Sequence, residues 1–198
     1  MGRGEQTRQA ILVAAIERFG QDGFRATSVA RIARDAGVGS TITYAYFPNK
    51  EALFLAALDE DAAGVIHEGV SHIFDEPDAR SWRDTLLPTL VDAVQGHPLA
   101  RRVLSGLEPH VTDHMIDIPA MAELRKAVAD RLRTDQLDGL VRDDIDPDRI
   151  ANGAITIVLS LLMAVLQVGV GVAATYGPVV FAVFEAALDP VAPPPTHR

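Results

Sequence analysis

Hydrophobic positions recur along most of the chain at intervals of three and four residues, the spacing of one face of an α-helix. In the first such segment, from Gln6 to Gly20, they are Leu12, Ala15, Ile16 and Phe19. From Lys50 to about residue 74 the same spacing predicts one long helix, in which Gly64 and Gly69 reduce helix stability and permit bending. The pattern predicts an all-α protein.

Further helices are predicted in the second half of the chain. Ser81-Trp82-Arg83-Asp84 resembles a capping box at the start of a helix that contains Pro88, where a kink is expected. Pro119 to Asp135 is amphipathic. Asp146-Pro147 begins the next helix, with aspartate as the cap and proline as the first helical residue. The glycines at 169 and 171 favour a break between the last two helices.

Residues 27–50 predict two short helices joined by a tight turn. Thr27 or Ser28 is a suitable N-terminal cap for the first helix, and Gly37 permits the positive φ that a sharp reversal requires. Pro48 ends the second helix, because the residue before a proline is forced out of the α region. This order is the helix-turn-helix plan, whose second helix enters the major groove of DNA.

Three segments of this region carry a resemblance: Gly23–Val29, Ile32–Val38 and Tyr44–Phe54. They resemble the N-terminal domain of the TetR family of transcriptional regulators, without gaps, over about the first 55 residues. The resemblance implies a three-helix DNA-binding domain at residues 1–48 and a helical ligand-binding and dimerisation domain at residues 49–189. Residues 190–198 are rich in proline, and a disordered tail is expected there.

The expected DNA contacts lie on the second helix and at the starts of its neighbours. They are Thr27, Ser28, Ser40, Thr41, Ile42, Thr43, Tyr44, Tyr46 and Lys50. The family usually has Gly-Thr-Leu-Tyr-His-Tyr-Phe where this chain has Thr41 to Phe47, so the polar and apolar members of the central pair are exchanged. Ile42 is then placed to contact a thymine methyl group, whereas Ala45 loses the contact that the usual histidine offers.

Three of these residues have alternative interpretations. Thr43 replaces a usual core leucine and is a candidate core residue. Tyr46 is as well explained by a half-buried ring that packs under Phe47. Lys50 lies at the positive end of the next helix, for which Asn49 is a suitable cap. There Lys50 fits a phosphate clamp, although a solvated lysine is the alternative.

The charge is divided unevenly along the chain, whose net value is −9. Residues 1–50 carry seven Arg or Lys and four Asp or Glu, a net of +3, whereas residues 51–198 carry eleven and twenty-three, a net of −12. Phosphate binding requires positive charge at the surface that contacts DNA. The division favours a basic DNA-binding head on an acidic body.

The segment from Ile150 to Phe184 contains no charged side chain. Its length satisfies the rule for a membrane span, but Asn152, Ser160, Gln167 and four glycines argue against one. No membrane association is expected. The resemblance implies instead that the last two helices, about residues 150–188, form a homodimeric four-helix bundle.

The candidate ligand-binding residues of the body are six apolar or aromatic side chains and one histidine. They are Trp82, Leu86, His110, Met115, Met121, Leu159 and Met163. His110 and His114 are four residues apart with Asp113 and Asp117 nearby, a spacing that would bind a metal only on a helix, and no metal site or cofactor is expected.

The chain has no cysteine, which excludes disulfides and cysteine nucleophiles, and its N-terminus has no export signal. We expect a cytoplasmic protein. The resemblance implies a homodimeric repressor that a small apolar or amphipathic molecule releases from an inverted repeat in double-stranded DNA. One alternative is a regulator of the same fold that responds to a protein partner or to nothing. The other is a metal-dependent enzyme that uses His110, Asp113 and His114.

Overall fold

The structure is a computed structural model that describes residues 2–75, 81–111 and 116–190, without the side chains of residues 71–75, 81–85 and 110. Within these residues the chain is helical and has no strand, which confirms the all-α prediction. The tail expected at residues 190–198 lies, from residue 191 onward, outside the described residues.

Nine α-helices are present in the described part of the chain. The head contains α1 (Arg3–Ala26), α2 (Val29–Asp35) and α3 (Ser40–Tyr46). The body contains α4 (Lys50–Asp75), α5 (Ser81–Ala93), α6 (Pro98–Leu104), α7 (Pro119–Leu137), α8 (Pro147–Val168) and α9 (Gly171–Leu188). Short 3-10 turns follow α5 at Val94–Gly96 and α6 at Pro109–Val111.

The caps that begin three helices were predicted from the sequence and are confirmed. Ser28 Oγ accepts a hydrogen bond from the Arg31 amide at 3.3 Å, and Asn49 Oδ1 accepts one from the Ala52 amide at 2.7 Å. Asp146 caps α8 by accepting from the amides of residues 148 and 149. Each cap satisfies amide donors that have no partner inside the helix.

The turn of the helix-turn-helix is fixed by Gly37, whose φ is +69°. The Val38 amide donates to the Ala33 carbonyl at 2.9 Å, and the Gly37 amide donates to the Arg34 carbonyl at 3.1 Å. These two bonds form a Schellman motif, which closes the carboxyl end of α2. The turn therefore sets the angle between α2 and α3 through the backbone alone.

Helix α1 is longer than the predicted segment from Gln6 to Gly20, because Gly20 does not end it. A Cβ atom at Gly20 would stand 2.7 Å from Cβ of Pro98, so this glycine allows α6 to approach α1 closely. The interruption occurs instead at Gly23, which has a φ of 82° and a ψ of 170°.

A continuous hydrophobic core joins the head to the body. Phe54 of α4 packs edge to face against Phe19 and Phe24 of α1, with ring centroids 5.0 Å and 5.3 Å away. Because α1 and α4 share this core, the position of the head depends on the first turns of α4.

Three consecutive acidic residues in the middle of α4 each contact a different helix. Asp59 Oδ1 accepts from the backbone amide of Ala120 in α7 at 2.9 Å, and Glu60 Oε1 accepts from the side-chain Nε2 of Gln9 in α1 at 2.9 Å. Asp61 Oδ2 accepts from the amides of residues 99 and 100 in α6 at 2.9 Å and 2.8 Å. Successive helical residues point about 100° apart, so one short segment holds three neighbours.

The uncharged segment from Ile150 to Phe184 is divided into two helices, as the glycines at 169 and 171 indicated. Helix α8 ends at Gly169, whose φ is 125°, and α9 begins two residues later. Both helices are long and apolar enough to cross a membrane by length and composition alone. Their positions in the fold are those of two packed body helices, with α8 against α7 and α9.

Candidate DNA-binding surface and body cavity

Helix α3 has one buried face and one exposed face. Thr43 is fully buried and faces the core, whereas Ile42 is 47% exposed and Tyr44 is 51% exposed. Thr41 and Ala45 are also exposed, and Ser40 is half-buried. The outward face thus presents a hydroxyl, a branched apolar side chain and a phenol. These groups can contact base edges, thymine methyl groups and phosphates.

Two of the residues expected to contact DNA belong to the core. Thr43 has no exposed surface, and Thr27 has 2% exposed surface with its hydroxyl donating to the Arg18 carbonyl. Neither side chain reaches the face that Tyr44 and Ile42 present. The core interpretation of Thr43 is therefore correct, and Thr27 supports the loop before α2 from inside.

Tyr46 lies at the edge of the exposed face of α3. It is 37% exposed, its ring centroid is 6.5 Å from that of Phe47, and its hydroxyl lies beside Gly4 of α1. The Arg8 guanidinium lies 5.7 Å from the centroid of the Phe47 ring. The first turns of α1 are thus close to the carboxyl end of α3.

Lys50 is turned toward the junction of head and body. Its ammonium lies 4.5 Å from the centroid of the Phe24 ring, a cation–π contact. Desolvation lowers the pKa of Lys50, and the negative charge of Glu108 opposes part of that shift. The side chain is therefore held by Phe24 and Glu108, unlike the exposed residues of α3.

Sequence reasoning did not single out Arg25 and Arg34, which are exposed cations of the head. Arg18 and Arg31, in contrast, form ion pairs with Asp35 and Asp22. Within the described residues, Arg25 and Arg34 form no ion pair. Their charges are available to phosphate groups. For Arg34 the signal in the sequence was the absence of an acidic residue three or four positions away, whereas Arg25 has Asp22 three positions before it.

The body encloses an apolar cavity of about 100 Å³ between α4, α5, α7, α8 and α9. Three predicted ligand-binding residues line it: Leu86, Met121 and Leu159. Met163 does not line it and packs half-buried against the core. Met115 lies outside the described residues, as do the side chains of Trp82 and His110. The structure thus brings together part of the predicted set.

Among the described residues that line this cavity, Arg131 is the charged one. Its Nε donates to Oδ1 of Asp135 at 2.8 Å, and both side chains are largely buried. The surface that faces the cavity is apolar. Among the described residues, the arrangement therefore fits hydrocarbon and exposes no polar atom to the cavity that could orient a ligand.

The spacing of His110 and His114 is not tested as a metal site, because Asp113 and His114 lie outside the described residues. Among the residues that the structure describes, no group of three His, Asp or Glu side chains is close enough to hold a metal ion.

The outer faces of α8 and α9 carry uncovered apolar side chains in the single chain. They are Ile157, Val168, Tyr176, Val179 and Val183, each at least 40% exposed, and Val170 in the connection between the two helices is exposed as well. An apolar surface of this extent on two adjacent helices is typical of a protein–protein interface.

The three-helix head with its exposed α3 defines the class as a helix-turn-helix DNA-binding protein. The sequence model of the family described as bacterial regulatory proteins, tetR family, matches residues 11–57. Over this region the chain is similar to the TetR family of regulators.

Two characterised proteins illustrate the similarity. The chain is 49% identical to the HTH-type transcriptional regulator RutR of Escherichia coli over 51 residues, 26% of this chain and 24% of RutR. It is 29% identical to the HTH-type transcriptional repressor SCO4008 of Streptomyces coelicolor over 146 residues, 71% of this chain and 70% of that protein. The chain thus spans about a quarter of the length of RutR.

The whole fold has counterparts among solved structures. The FadR repressor of Thermus thermophilus, solved in complex with lauroyl-CoA, superimposes with a TM-score of 0.67 at 21% identity. The similarity covers 96% of this chain and 100% of FadR. A TetR-family structure from Mesorhizobium loti gives a TM-score of 0.71 at 21% identity, over 96% of this chain and 100% of the other. At this identity the similarity concerns the fold.

Proposed function

We propose that this protein is a cytoplasmic, homodimeric transcriptional repressor that binds an inverted repeat in double-stranded DNA. A small apolar or amphipathic molecule in the body cavity releases it. The observation that carries the proposal is the division of α3 into a buried face, with Thr43, and an exposed face, with Ile42 and Tyr44. The exposed part of the helix circumference also carries Thr41 and Ala45, so most of α3 apart from Thr43 is free to contact DNA.

Recognition uses the exposed face of α3 for bases and the cations of the head for phosphates. Ile42 meets thymine methyl groups, while Thr41, Tyr44 and Tyr46 donate hydrogen bonds. Ser40 and Ser28 lie at the amino-terminal ends of α3 and α2, close to the phosphate backbone. Arg25 and Arg34 add charge that is not already neutralised. Lys50 contacts a phosphate only when its ammonium group leaves the ring of Phe24.

Dimerisation supplies the symmetry that this mode of reading requires. The apolar side chains on the outer faces of α8 and α9 are covered when the same faces of a second chain pack against them. Two heads related by a two-fold axis then read half-sites one helical turn apart on the same side of the duplex.

The ligand binds in the body cavity and favours a body conformation that spaces the two heads wrongly for DNA. The volume of about 100 Å³ is below that of drug-sized ligand sites, which span roughly 300–1,000 Å³. The hydrocarbon part of the ligand therefore enlarges the cavity as it enters. The apolar wall supports hydrocarbon as the inserted part, and the FadR neighbour, with its acyl-CoA, is consistent with this class.

The same small volume supports the second candidate, a regulator of this fold that binds no small molecule. In that case the cavity is a packing defect and the body serves only for dimerisation. Measuring the melting temperature of the protein with neutral hydrocarbons and with acyl compounds distinguishes the two candidate functions. A ligand that binds the folded state raises the melting temperature.

The test of DNA recognition is selection from a pool of random DNA duplexes, followed by sequencing. We expect the wild-type protein to enrich an inverted repeat. Ile42→Ala and Tyr44→Ala each remove an exposed side chain of α3 without touching the core, so they are expected to lower affinity by about tenfold or more.

The matched control is Val13→Ala, which removes a side chain of similar exposure, 53%, from the outer face of α1. It is expected to enrich the same repeat with wild-type affinity. Equal losses in Ile42→Ala and Val13→Ala would show that α3 does not read the bases. The absence of any enriched sequence with folded protein would overturn the proposed function.

A further inference from the structure

A short segment of the body connects α8 to the head. It comprises residues 104–108, the last residue of α6 and the four that follow it, and we refer to it as the coupling segment. One end is bound to the carboxyl end of α8, and the other end is bound to the break in α1. Neither contact was foreseen from the sequence, since the partners are 63 and 84 residues apart in the chain.

At the head, Glu108 contacts the point where α1 is interrupted. Its carboxylate is buried, and Oε1 accepts from the Phe24 amide at 3.1 Å and from Nε of Arg102 at 2.7 Å. A Cβ atom at Gly23 would stand 2.6 Å from this oxygen. The Gly23-Phe24 pair of the family-like motif is thus explained by its contact with the body.

At the other end, Gln167 holds the last turn of α6. Its Nε2 donates to the Leu104 carbonyl at 3.0 Å, and a Cβ atom at Gly106 would stand 3.4 Å from the same nitrogen. Gln167 belongs to the last turn of α8, the helix that lines the cavity with Ile155 and Leu159. A change in the position of α8 therefore acts on the coupling segment directly.

The coupling segment has a fixed internal geometry. Gly106 has a φ of +76°, and the Leu107 amide donates to the Arg102 carbonyl at 3.2 Å. The Gly106 amide donates to the Val103 carbonyl at 2.9 Å. This is the same Schellman motif that closes α2, so the segment is held by its own backbone bonds and transmits displacement instead of absorbing it.

We propose that the coupling segment carries changes in the position of α8 to the DNA-binding head, with Gln167 and Glu108 as its positioning residues. The role of this coupling in regulation rests on the proposed function, because the activity to be regulated is DNA binding by the head. The coupling itself is a property of the chain in the absence of DNA. Breaking the hydrogen bond of Gln167 at one end weakens the hydrogen bond of the Phe24 amide at the opposite end.

The test is amide hydrogen exchange of the full-length protein without DNA. In Gln167→Ala we expect the Phe24 amide to exchange about tenfold faster, the effect of losing one hydrogen bond, while the Val38 amide in the helix-turn-helix is unchanged. The matched control is Gln136→Ala, because Gln136 also binds backbone carbonyls, those of residues 142 and 145. It is expected to leave both amides unchanged.

An unchanged Phe24 amide in Gln167→Ala would overturn the proposal. An equal increase in the exchange rates of the Phe24 and Val38 amides would also overturn it, because it would indicate a general loss of stability in the head. A second measurement compares DNA affinity in Glu108→Gln, which keeps an acceptor for the Phe24 amide, with Glu108→Ala, which removes it. We expect affinity to be about tenfold lower in the alanine variant.

The two kinds of failure are distinguishable. If no DNA sequence is bound, the proposed function fails, and the exchange experiment still decides whether α8 and Phe24 are coupled. If DNA is bound and the Phe24 amide does not respond to Gln167→Ala, the regulator stands and the coupling segment is only a structural connection.

Discussion

Gly64 of α4 lies directly against the imidazole ring of His97, where a Cβ atom would stand 2.2 Å from ring atom Cε1. Nδ1 of His97 is in turn 2.9 Å from Oδ1 of the buried Asp61. The ring thus fills the space between α4 and the start of α6. The sequence favoured a bend at Gly64, whereas the structure assigns this glycine to the close approach of two helices.

We predict that Gly64→Ala lowers the free energy of unfolding by about 1–3 kcal/mol, the usual cost of adding a group where there is no room. Denaturation by urea measures the change. Gly153→Ala is the control, because no atom lies within 4 Å of a Cβ there. The control is expected to gain up to about 1 kcal/mol from helix propensity. A stabilised Gly64→Ala variant would contradict the close approach.

Filling the body cavity is predicted to stabilise the protein and to block the ligand. Ala154 lines the cavity, so Ala154→Leu places its added carbons in empty space and raises the free energy of unfolding by about 0.5–2 kcal/mol. Ala151 is buried but does not line it, and Ala151→Leu is expected to cost about 1–3 kcal/mol. Thermal denaturation distinguishes them. If both substitutions destabilise equally, the cavity is not open to a side chain.

A charge on the outer face of α9 is predicted to separate the dimer. Val179 is 60% exposed in the single chain, and Val179→Glu would place a carboxylate inside the proposed interface, where burial of an unpaired charge is costly. Analytical ultracentrifugation is expected to show a dimer for the wild type and a monomer for this variant. Val13→Glu, on the head, is expected to remain dimeric. A monomeric wild type would contradict the predicted homodimer.

Lys50 is predicted to make stability depend on pH in the alkaline range. Its pKa is lowered in the folded state by desolvation, so the unfolded chain binds the proton more tightly. Stability therefore rises with pH between the folded and unfolded pKa values of this lysine and is lower by that amount at neutral pH. The difference in unfolding free energy between wild type and Lys50→Met, measured from pH 7 to 11, is expected to shift in favour of the wild type. A difference that is constant with pH would contradict this effect.

Local signals explain which features of the fold could be predicted from the sequence. Ser28, Asn49 and Asp146 cap helices through bonds to amides two or three residues away, and Gly37 sets a turn within its own backbone. Such contacts are confined to one stretch of sequence, so the residue type and its position suffice to infer them. The order of the helices followed from the same periodicity.

The features that sequence reasoning missed depend on partners far along the chain. Gly20 does not end α1, because residue 98 packs against it, and Gly64 is explained only by His97. The contact of Glu108 with Phe24 has no local signature. Thr43 was placed among the DNA contacts with a core position as the alternative, and its burial decides for the core. In each case tertiary packing decided between interpretations that the sequence left open.

The acidic triplet Asp59 to Asp61 makes α4 a lever with a fixed pivot. Helix α4 is about 39 Å long, with the pivot roughly 15 Å from Lys50 and roughly 22 Å from the far end, at a rise of about 1.5 Å per residue. If the helix tilts as a rigid rod about that point, its ends move in opposite directions and by unequal amounts. A displacement of about 1.5 Å at the far end of α4 then moves the head end by about 1 Å the other way. In a symmetric dimer the two displacements combine, so the separation of the two recognition helices changes by up to about twice that distance.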